Sequence, residues 1–239
     1  MSAKPFQFKE FTIHQDKTAM KVGTDGVLLG AWVEINNDIN SILDIGTGSG
    51  LIALQLAQRT ECETIDALEI EPNAFEQAVE NFENSIWGDR LYCYHTSLQE
   101  FVNEMDEKYD LIISNPPFYN DTYKEIEKKR ATARHTKSLS FEELLSATAK
   151  LLSISGTCSF IIPFDEEVNF IEVAKVLKLF PIRITRVKGH HNSPIKRSLL
   201  QLSFSRSEPI IDELIIEIER HIYTEEYRSL VKDFYLKMI

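Results

Sequence analysis

Cysteine is scarce in this chain of 239 residues, and its scarcity excludes several kinds of site. The three cysteines, Cys62, Cys93 and Cys158, form no Cys-x-x-Cys pair, which argues against a zinc site and a disulfide framework. Scattered thiols in an odd number are typical of reduced cysteines in the cytoplasm. No apolar run approaches the roughly 18 residues that span a bilayer, and no signal segment opens the chain. We therefore expect a cytoplasmic protein without a metal ion or a membrane partner.

Positive charge is also in deficit, since the formal net charge is -11. This balance argues against general affinity for nucleic acids, because contacts of lysine and arginine with phosphates supply most non-specific binding. The hydrophobic fraction of 43% and the charged fraction of 26% are ordinary for a globular protein. The length suits one α/β domain with a sizeable core.

Short apolar runs alternate with helical patterns from Ser41 onwards, which predicts a mostly parallel sheet with helices on both faces. Strands are predicted over residues 42–45, 64–68, 91–94, 111–114, 158–162, 182–187 and 199–204, so the expected sheet is seven-stranded. Helices are predicted over residues 51–58, 73–87, 141–152 and 166–179, and the tail from Ile210 shows Ile, Leu and Glu at helical spacing. Because residues 188–198 carry no helical pattern, we expect the last two strands to form an antiparallel pair at the sheet edge.

Three glycines, Gly46, Gly48 and Gly50, lie where the first predicted strand meets the first helix. Glycine permits close approach of a ligand and backbone conformations that other residues avoid, and a helix start presents free N–H groups. A dinucleotide fingerprint would have glycine at the sixth position, but here Leu51 occupies it and no P-loop lysine follows. With Asp44 before it, the loop resembles the S-adenosylmethionine loop of class I methyltransferases.

Glu69 ends the second predicted strand, 23 residues after Gly46. Ligands of such sheets bind outside the carboxyl ends of the strands, so this carboxylate is placed to accept both ribose hydroxyls of a nucleoside. Glu71 is the nearby alternative, and we interpret it as a helix cap. Ser97 and Leu98 follow the third strand, where this fold usually contacts adenine, although many relatives carry Asp at the position of Ser97.

The motif Asn115-Pro116-Pro117-Phe118 follows the fourth predicted strand. The side-chain oxygen of Asn115 and the carbonyl of Pro116 are two acceptors that can bind both N–H groups of an exocyclic amine. The prolines fix φ and remove competing donors, and Phe118 offers a face on which a planar group stacks. A strand followed by a stiff turn without a ligand is the alternative interpretation of these four residues taken alone.

Together, the glycine loop, Glu69 and the Asn-Pro-Pro-Phe motif resemble the amino-methyltransferases of the class I fold. Residues 20–32 (Met-Lys-Val-Gly-Thr-Asp-Gly-Val-Leu-Leu-Gly-Ala-Trp) and Ala133-Arg134-His135 are similar to signatures of the bacterial tRNA(Val) adenine-37 N6-methyltransferases. The resemblance covers nearly the whole chain and implies a class I (Rossmann-like) methyltransferase fold in one domain over residues 1–239. Within it, residues 1–40 would cover cofactor and substrate, residues 41–207 would form the core, and residues 208–239 would form C-terminal helices.

The resemblance also implies a cofactor, S-adenosylmethionine, and a substrate, the N6 amine of adenine 37 in valine tRNA. Asp25 would hold the ammonium group of the cofactor, or else Thr24-Asp25-Gly26 is only the cap of a helix over residues 27–32. The implied cofactor-binding residues are Val22, Gly23, Thr24, Asp25, Asp44, Gly46, Thr47, Gly48, Gly50, Glu69, Ile70, Ser97, Leu98 and Asn115. The implied catalytic residues are Asn115, Pro116, Pro117 and Phe118.

Basic residues are concentrated in two segments, and such segregation allows an acidic protein to bind RNA. Residues 124–137 hold six cations and two acids, and residues 183–197 hold five cations and no acid. The target base must rotate out of its stack to reach the pocket, where Phe118 and Tyr119 would stack on it. The predicted RNA-binding residues are Tyr119, Lys129, Arg130, Arg134, His135, Lys196 and Arg197. The acids of residues 208–233 are expected to face away from RNA.

Other functions use the same pair of acceptors. Methylation of a glutamine side chain in a release factor is one alternative, although such enzymes usually carry Asn-Pro-Pro-Tyr and a separate N-terminal helical domain. Methylation of guanine N2 in ribosomal RNA is another, although those enzymes commonly have a duplicated second domain. The intact Asn115 disfavours a non-catalytic module, and Leu51 disfavours an NAD-dependent oxidoreductase. The residues themselves indicate a planar substrate that bears an NH2 group, and the tRNA and its position follow from the resemblance alone.

Overall fold

Apolar segments form the strands of this protein, and amphipathic segments form helices that cover them. The computed structural model describes residues 4–36, 38–117 and 139–238. The strands are β1 (Phe6–Gln7), β2 (Thr12–Ile13), β3 (Ser41–Ile45), β4 (Thr64–Glu69), β5 (Leu91–His95), β6 (Tyr109–Ser114), β7 (Leu152–Pro163), β8 (Phe180–His190), β9 (Ile195–Ser203), β10 (Ile210–Glu219) and β11 (Ile222–Tyr223). The helices are α1 (Thr24–Trp32), α2 (Leu51–Arg59), α3 (Pro72–Glu83), α4 (Leu98–Glu104), α5 (Phe141–Leu151), α6 (Glu167–Val176) and α7 (Glu225–Val231).

One large sheet has the strand order β11-β10-β8-β9-β7-β6-β3-β4-β5, and β1 pairs with β2 in a separate hairpin. Neighbouring strands from β7 to β5 in this order are parallel, whereas β9 is antiparallel to both β7 and β8. The chain adds β4 and β5 on one side of β3 and then returns to place β6 on the other side. The strand order therefore reverses beside β3, and ligands of open parallel sheets bind at such a switch point.

Alternate residues of each strand point to opposite faces of the sheet, and helices cover both faces. In β3, Ile42 belongs to an apolar cluster that includes residues of α1, α2, α3 and α7. Leu43 and Ile45 belong to the cluster formed with α4, α5 and α6. Cys62 and Cys158 are buried in these clusters, one in each.

The N-terminal segment is fixed against α3 and the loop that follows β3. The backbone N–H of His14 donates to Oδ1 of Asn81 over 2.9 Å. In return, Nδ2 of Asn81 donates to the carbonyls of His14 and Ser49, at 2.9 and 2.8 Å. A single buried amide thus satisfies backbone groups of both segments and sets their relative position.

The C-terminal tail corrects the prediction from sequence. Ile210–Glu219 form β10 rather than a helix, and they pair in parallel with β8, from Ile210 opposite Arg183 to Glu217 opposite His190. The β8–β9 pair is antiparallel as expected, but β10 and β11 lie beyond it, so the pair is not at the sheet edge. Among the residues that the structure describes, the sheet consequently has nine strands instead of seven, and the predicted loop shortens to a turn between His190 and Ile195. In the part of the chain that the structure describes, no helix is long and apolar enough to cross a membrane.

Candidate active site

The loop after β3 has a backbone that requires glycine at three positions. Gly46, Gly48 and Gly50 have φ values of 73°, 61° and 83°, which side chains rarely adopt. The N–H groups of Gly46 and Thr47 both donate to the carbonyl of Leu68 at the end of β4, over 2.9 and 3.0 Å. These hydrogen bonds hold the loop against the neighbouring strand. The loop ends at Gly50, which is the N-cap of α2.

Glu69 lies at the centre of this edge of the sheet and is only 9% exposed. Its Oε2 accepts the N–H of Gly48 over 2.9 Å, and its Oε1 accepts the N–H of Glu71 over 2.8 Å. Each carboxylate oxygen keeps a further lone pair, so the side chain can accept two more donors. The side chain of Glu71 instead accepts the N–H of Ala74 at the start of α3, which confirms the interpretation of Glu71 as a helix cap.

Asp44 is fully buried beneath the glycine loop. Its Oδ2 accepts the hydroxyl of Thr47 over 2.6 Å. Burial raises the pKa of Asp44 to about 7, and the nearby negative charge of Glu69 adds to this rise. The hydrogen bonds from the Thr47 hydroxyl and the Ala53 amide act in the opposite direction and lower the pKa. A second carboxyl group thus supports the loop from below, near the carboxylate of Glu69.

Asn115 follows the end of β6, next to the carboxyl end of β3. The hydroxyl of Ser114 donates to the carbonyl of Ile45 over 2.7 Å and joins the two strand ends. Asn115 is half-buried, Pro116 is buried and Pro117 is exposed, so the turn leads out of the sheet towards the surface. Phe118 and the predicted RNA-binding residues Tyr119, Lys129, Arg130, Arg134 and His135 lie outside the described residues.

The start of α1 packs against Asn115. A Cβ added at Gly26 would lie 3.1 Å from Cδ2 of Leu51 and 3.9 Å from Nδ2 of Asn115. The N-cap of α1 is Gly23, which has no side chain to cap the helix, so residues 24–26 form the first helical turn and are not the cap. The interpretation of Thr24-Asp25-Gly26 as a cap is therefore wrong. Sequence reasoning also missed the proximity of Gly26 to Asn115, since the two are 89 positions apart in the chain.

Asp25 and Arg197, which were assigned to different ligands from the sequence, form an ion pair in the structure. Nε of Arg197 donates to Oδ2 of Asp25 over 2.8 Å. Both side chains are about one-third exposed, at 32% and 30%. Arg197 stands in β9 opposite Pro163, the last residue of β7, so the pair lies at the same edge of the sheet as Asn115.

Ser97 is the N-cap of α4 and forms a reciprocal capping box with Glu100. Leu98 is buried in the first turn of that helix. Ile70 is 52% exposed, and its carbonyl lies 3.1 Å from Nε2 of His95. His95 is a site neighbour that the sequence did not suggest, and the register that places it opposite Glu69 identifies it.

Most of the basic run from residue 183 to residue 197 is neutralised by acids from other elements. Four of its five cations form ion pairs: Arg183 with Glu34 and Asp212, Arg186 with Glu167, Lys188 with Glu213, and Arg197 with Asp25. Lys196 is exposed. Two of these acids, Asp212 and Glu213, come from the tail, because β10 lies directly beside β8. Whether the acids of the tail face away from RNA, as expected from the sequence, stays a prediction.

Metal ligands do not converge in the residues that the structure describes. No group of three or more His, Cys, Asp or Glu side chains suited to a metal ion is present there. The carboxylates of the site are engaged with backbone N–H groups, a hydroxyl and a guanidinium instead.

Comparison with known proteins identifies the family of the chain. A family model described as "Methyltransferase small domain" matches residues 24–158. A relative from Christiangramia forsetii is 60% identical over 100% of both chains, and one from Trichodesmium erythraeum is 47% identical over 99% of this chain and 100% of its own. Both are named tRNA1(Val) (adenine(37)-N6)-methyltransferase.

Solved structures agree on the fold. A predicted O-methyltransferase from Agrobacterium tumefaciens has a TM-score of 0.70 at 20% identity, over 88% of this chain and 96% of that one. A ribosomal protein L11 methylase from Lactobacillus delbrueckii has a TM-score of 0.54 at 18% identity, over 77% of each chain. The fold is thus that of the class I methyltransferases, and the chain belongs to the family of the tRNA1(Val) (adenine(37)-N6)-methyltransferases.

Proposed function

We propose that this protein transfers the methyl group of S-adenosylmethionine to the N6 amine of adenine 37 in valine tRNA. The names of its relatives support both the reaction and the RNA. The observation that carries the proposal is the position of Asn115, which follows β6 at the switch point and lies beside the start of α1. Two acceptors for a planar amine thus stand next to a loop and a carboxylate suited to a nucleoside.

The residues around the glycine loop fit S-adenosylmethionine. A Cβ added at Gly46 or Gly48 would meet nothing within 4 Å, so open space faces the backbone of the loop. Glu69 would accept the two ribose hydroxyls with its remaining lone pairs, and Ile70, Ser97 and Leu98 would border the adenine. When bound, the cofactor supplies an electrophilic methyl group on its sulfonium sulfur.

Asn115 and Pro116 would hold the target amine. The nitrogen of an aromatic amine is a poor nucleophile, because its lone pair is delocalised into the ring. Acceptors for both N–H groups favour a more tetrahedral nitrogen and direct its lone pair away from the protein. Correct placement of the two reactants then supplies most of the rate, and the methylated amine loses a proton to water.

Methylation of purified tRNA tests the proposal. Labelled S-adenosylmethionine and unmodified valine tRNA are incubated with the protein, and the RNA is digested to nucleosides to detect N6-methyladenosine. We expect a product with the unmodified protein, and a loss of about 100-fold or more in kcat/KM with Asn115→Ala. Asn103→Ala, at an exposed position of α4, is the matched control and should retain activity.

Two outcomes would contradict the proposed substrate. A valine tRNA with guanine at position 37 should accept no methyl group, and labelling of that RNA would place the reaction elsewhere. Labelling of a release factor or of ribosomal RNA, with valine tRNA unlabelled, would leave the fold and cofactor in place but refute the substrate.

Basic residues of the segment 124–137 are proposed to contact the RNA backbone, since the second basic run is largely paired with acids. The double variant Arg130→Glu/Arg134→Glu should raise KM for tRNA and leave KM for the cofactor unchanged. The double variant Arg220→Glu/Lys232→Glu makes the same charge change at exposed positions of the tail. Equal effects of the two double variants would exclude a specific role for the segment.

We further propose that the whole chain is one domain and acts in the cytoplasm. The bridge between Phe8 and Tyr235, which joins the N-terminal segment to the tail, supports a single domain. The proposed tRNA substrate supports the location.

A further inference from the structure

Arg186 of β8 lies over the ring of Phe164 at the carboxyl edge of the sheet. Cζ of Arg186 is 5.6 Å from the centroid of that ring. Phe164 directly follows Pro163, the last residue of β7. Arg186 stands opposite Ser198 of β9, and Ser198 stands opposite Ile162 of β7. The two side chains therefore meet across the ends of β7 and β8, with β9 between these strands.

Glu167 fixes the plane of this guanidinium. Its side chain is buried and accepts Nε of Arg186 over 3.2 Å and Nη2 over 2.7 Å. The hydroxyl of Ser198 donates to the same carboxylate and holds it in place. A guanidinium that is bound along one edge in this two-pronged way is already ordered, so a ligand that stacks on it has little side-chain motion to restrict.

This ordered pair is still accessible. The side chain of Arg186 is 34% exposed, and Phe164 is half-buried. The hydrogen bonds to Glu167 lie in the plane of the guanidinium, so they neutralise its charge without using its flat faces. A flat, ordered surface of this kind suits a planar, aromatic group, such as a nucleobase, better than it suits a phosphate.

The pair lies at the same edge of the sheet as the catalytic turn. The strand order here is β6-β7-β9-β8, and Asn115 follows the end of β6. At about 4.8 Å between strands, Arg186 is about 14 Å across the sheet from β6. It is thus too far away to touch the target base, but nucleotides next to that base can reach it. The exposed Lys196 at the start of β9 adds positive charge to this edge.

We propose that Arg186 and Phe164 form a platform on which a base next to adenine 37 of the tRNA stacks. This inference rests on the proposed function. Rotation of the target base out of its stack deprives the neighbouring bases of a stacking partner. Unpaired bases commonly stack on aromatic rings and on arginine planes. The platform would replace the lost stacking and would hold the anticodon loop in position at the catalytic turn.

Two variants remove the platform in different ways. Arg186→Lys keeps the charge beside Glu167 but has no plane, and Phe164→Leu keeps an apolar side chain but has no ring. Each should raise the dissociation constant of valine tRNA by about fivefold or more, as expected for the loss of one stacked base. The salt dependence of binding should not change, because neither variant alters the number of cations. If Arg186 acted only through its charge, Arg186→Lys would bind tRNA as tightly as the unmodified protein.

Arg183 of the same strand offers a matched control. Its Cζ also lies over an aromatic ring, 4.9 Å from the centroid of Trp32, and it also pairs with acids, Glu34 and Asp212. Trp32 belongs to the apolar cluster on the opposite face of the sheet from α6, which carries Glu167. Arg183→Lys should therefore leave the dissociation constant of tRNA unchanged. An equal loss of affinity in Arg183→Lys and Arg186→Lys would overturn the proposal.

Abasic nucleotides in the tRNA separate a platform for a base from a purely structural contact. Valine tRNA is prepared with an abasic nucleotide on one side of adenine 37 or on the other. At the stacked position the missing base should weaken binding to the unmodified protein by about fivefold or more, and should have little further effect in Phe164→Leu. If Arg186 and Phe164 only braced the fold, the effects of the variant and of the missing base would be additive at both positions.

Methylation of intact valine tRNA, measured on the same preparation, distinguishes failure of this inference from failure of the proposed function. If the tRNA is methylated but the variant and the missing base act additively, the platform is wrong and the function stands. If the tRNA is neither bound nor methylated, both are wrong.

Discussion

Replacement of Asp44 by asparagine should change how the stability of this protein depends on pH. Burial moves the pKa of Asp44 from its ordinary value of 3.8 to about 7. Between these values the unfolded chain has lost a proton that the folded chain keeps, so a rise in pH favours unfolding. The stabilising contribution of the protonated group is complete below about pH 4 and is lost as the pH rises to about 7. About 3 units of pKa, at roughly 1.4 kcal/mol each, correspond to roughly 4 kcal/mol in total.

The asparagine side chain does not titrate, so the stability of this variant should not fall through deprotonation at this position. Denaturant unfolding without cofactor at pH 5 and pH 8 gives the free energy of unfolding for both proteins. Between pH 5 and the pKa of about 7 lie about 2 pH units, at roughly 1.4 kcal/mol each. From pH 5 to pH 8, the free energy of unfolding of the unmodified protein should therefore fall by roughly 3 kcal/mol relative to that of Asp44→Asn. Asp106→Asn, at an exposed position after α4, controls for the change in net charge. If the difference between Asp44→Asn and the unmodified protein is the same at both pH values, the reasoning is refuted.

Three further variants test the construction of the site. Gly50→Ala should destabilise the protein by about 2–3 kcal/mol in denaturant unfolding, because φ is 83° and the new Cβ would lie 2.5 Å from Phe82. Gly189→Ala, whose Cβ would meet nothing nearer than 3.9 Å, should change stability by less than about 0.5 kcal/mol, and equal losses would refute the steric argument. Ser97→Ala should cost about 1 kcal/mol through loss of the helix cap. An unchanged KM for the cofactor in that variant would remove Ser97 from the adenine site. Glu69→Gln should raise the dissociation constant of S-adenosylhomocysteine, measured by calorimetry, by roughly 10-fold or more. An unchanged dissociation constant would contradict the role of Glu69 at the ribose.

Periodicity could not decide the structure of the tail. Ile210, Leu214 and Ile218 are four residues apart, and residues at this spacing share one face of a strand as well as one face of a helix. The five isoleucines of Ile210–Glu219 favour a strand, since β-branched side chains fit a pleated surface. In the structure this segment is a strand because it pairs with the edge of β8 that β9 leaves unpaired. Composition was thus the more informative signal here.

The parts of the site that lie at strand ends could be located from the sequence. Gly46 and Glu69 each follow an apolar run, and local patterns mark such positions well. The pair of Asp25 and Arg197 could not be found in this way, because 172 residues separate its members. The charge of a segment was also a poor guide to its surface, because acids brought in by α1, α6 and β10 determine which cations stay free.

The burial of the thiols has a practical consequence for the study of this protein. Cys62 and Cys158 are 2% and 0% exposed, and burial raises the pKa of both thiols as well as that of Cys93, which reaches about 12. The thiolate is the form that attacks electrophilic labelling reagents, so none of the three cysteines should react readily while the protein is folded. A single cysteine introduced at Lys196 would then be the only fast-reacting thiol. A fluorophore attached there could report on the hairpin without any removal of native cysteines.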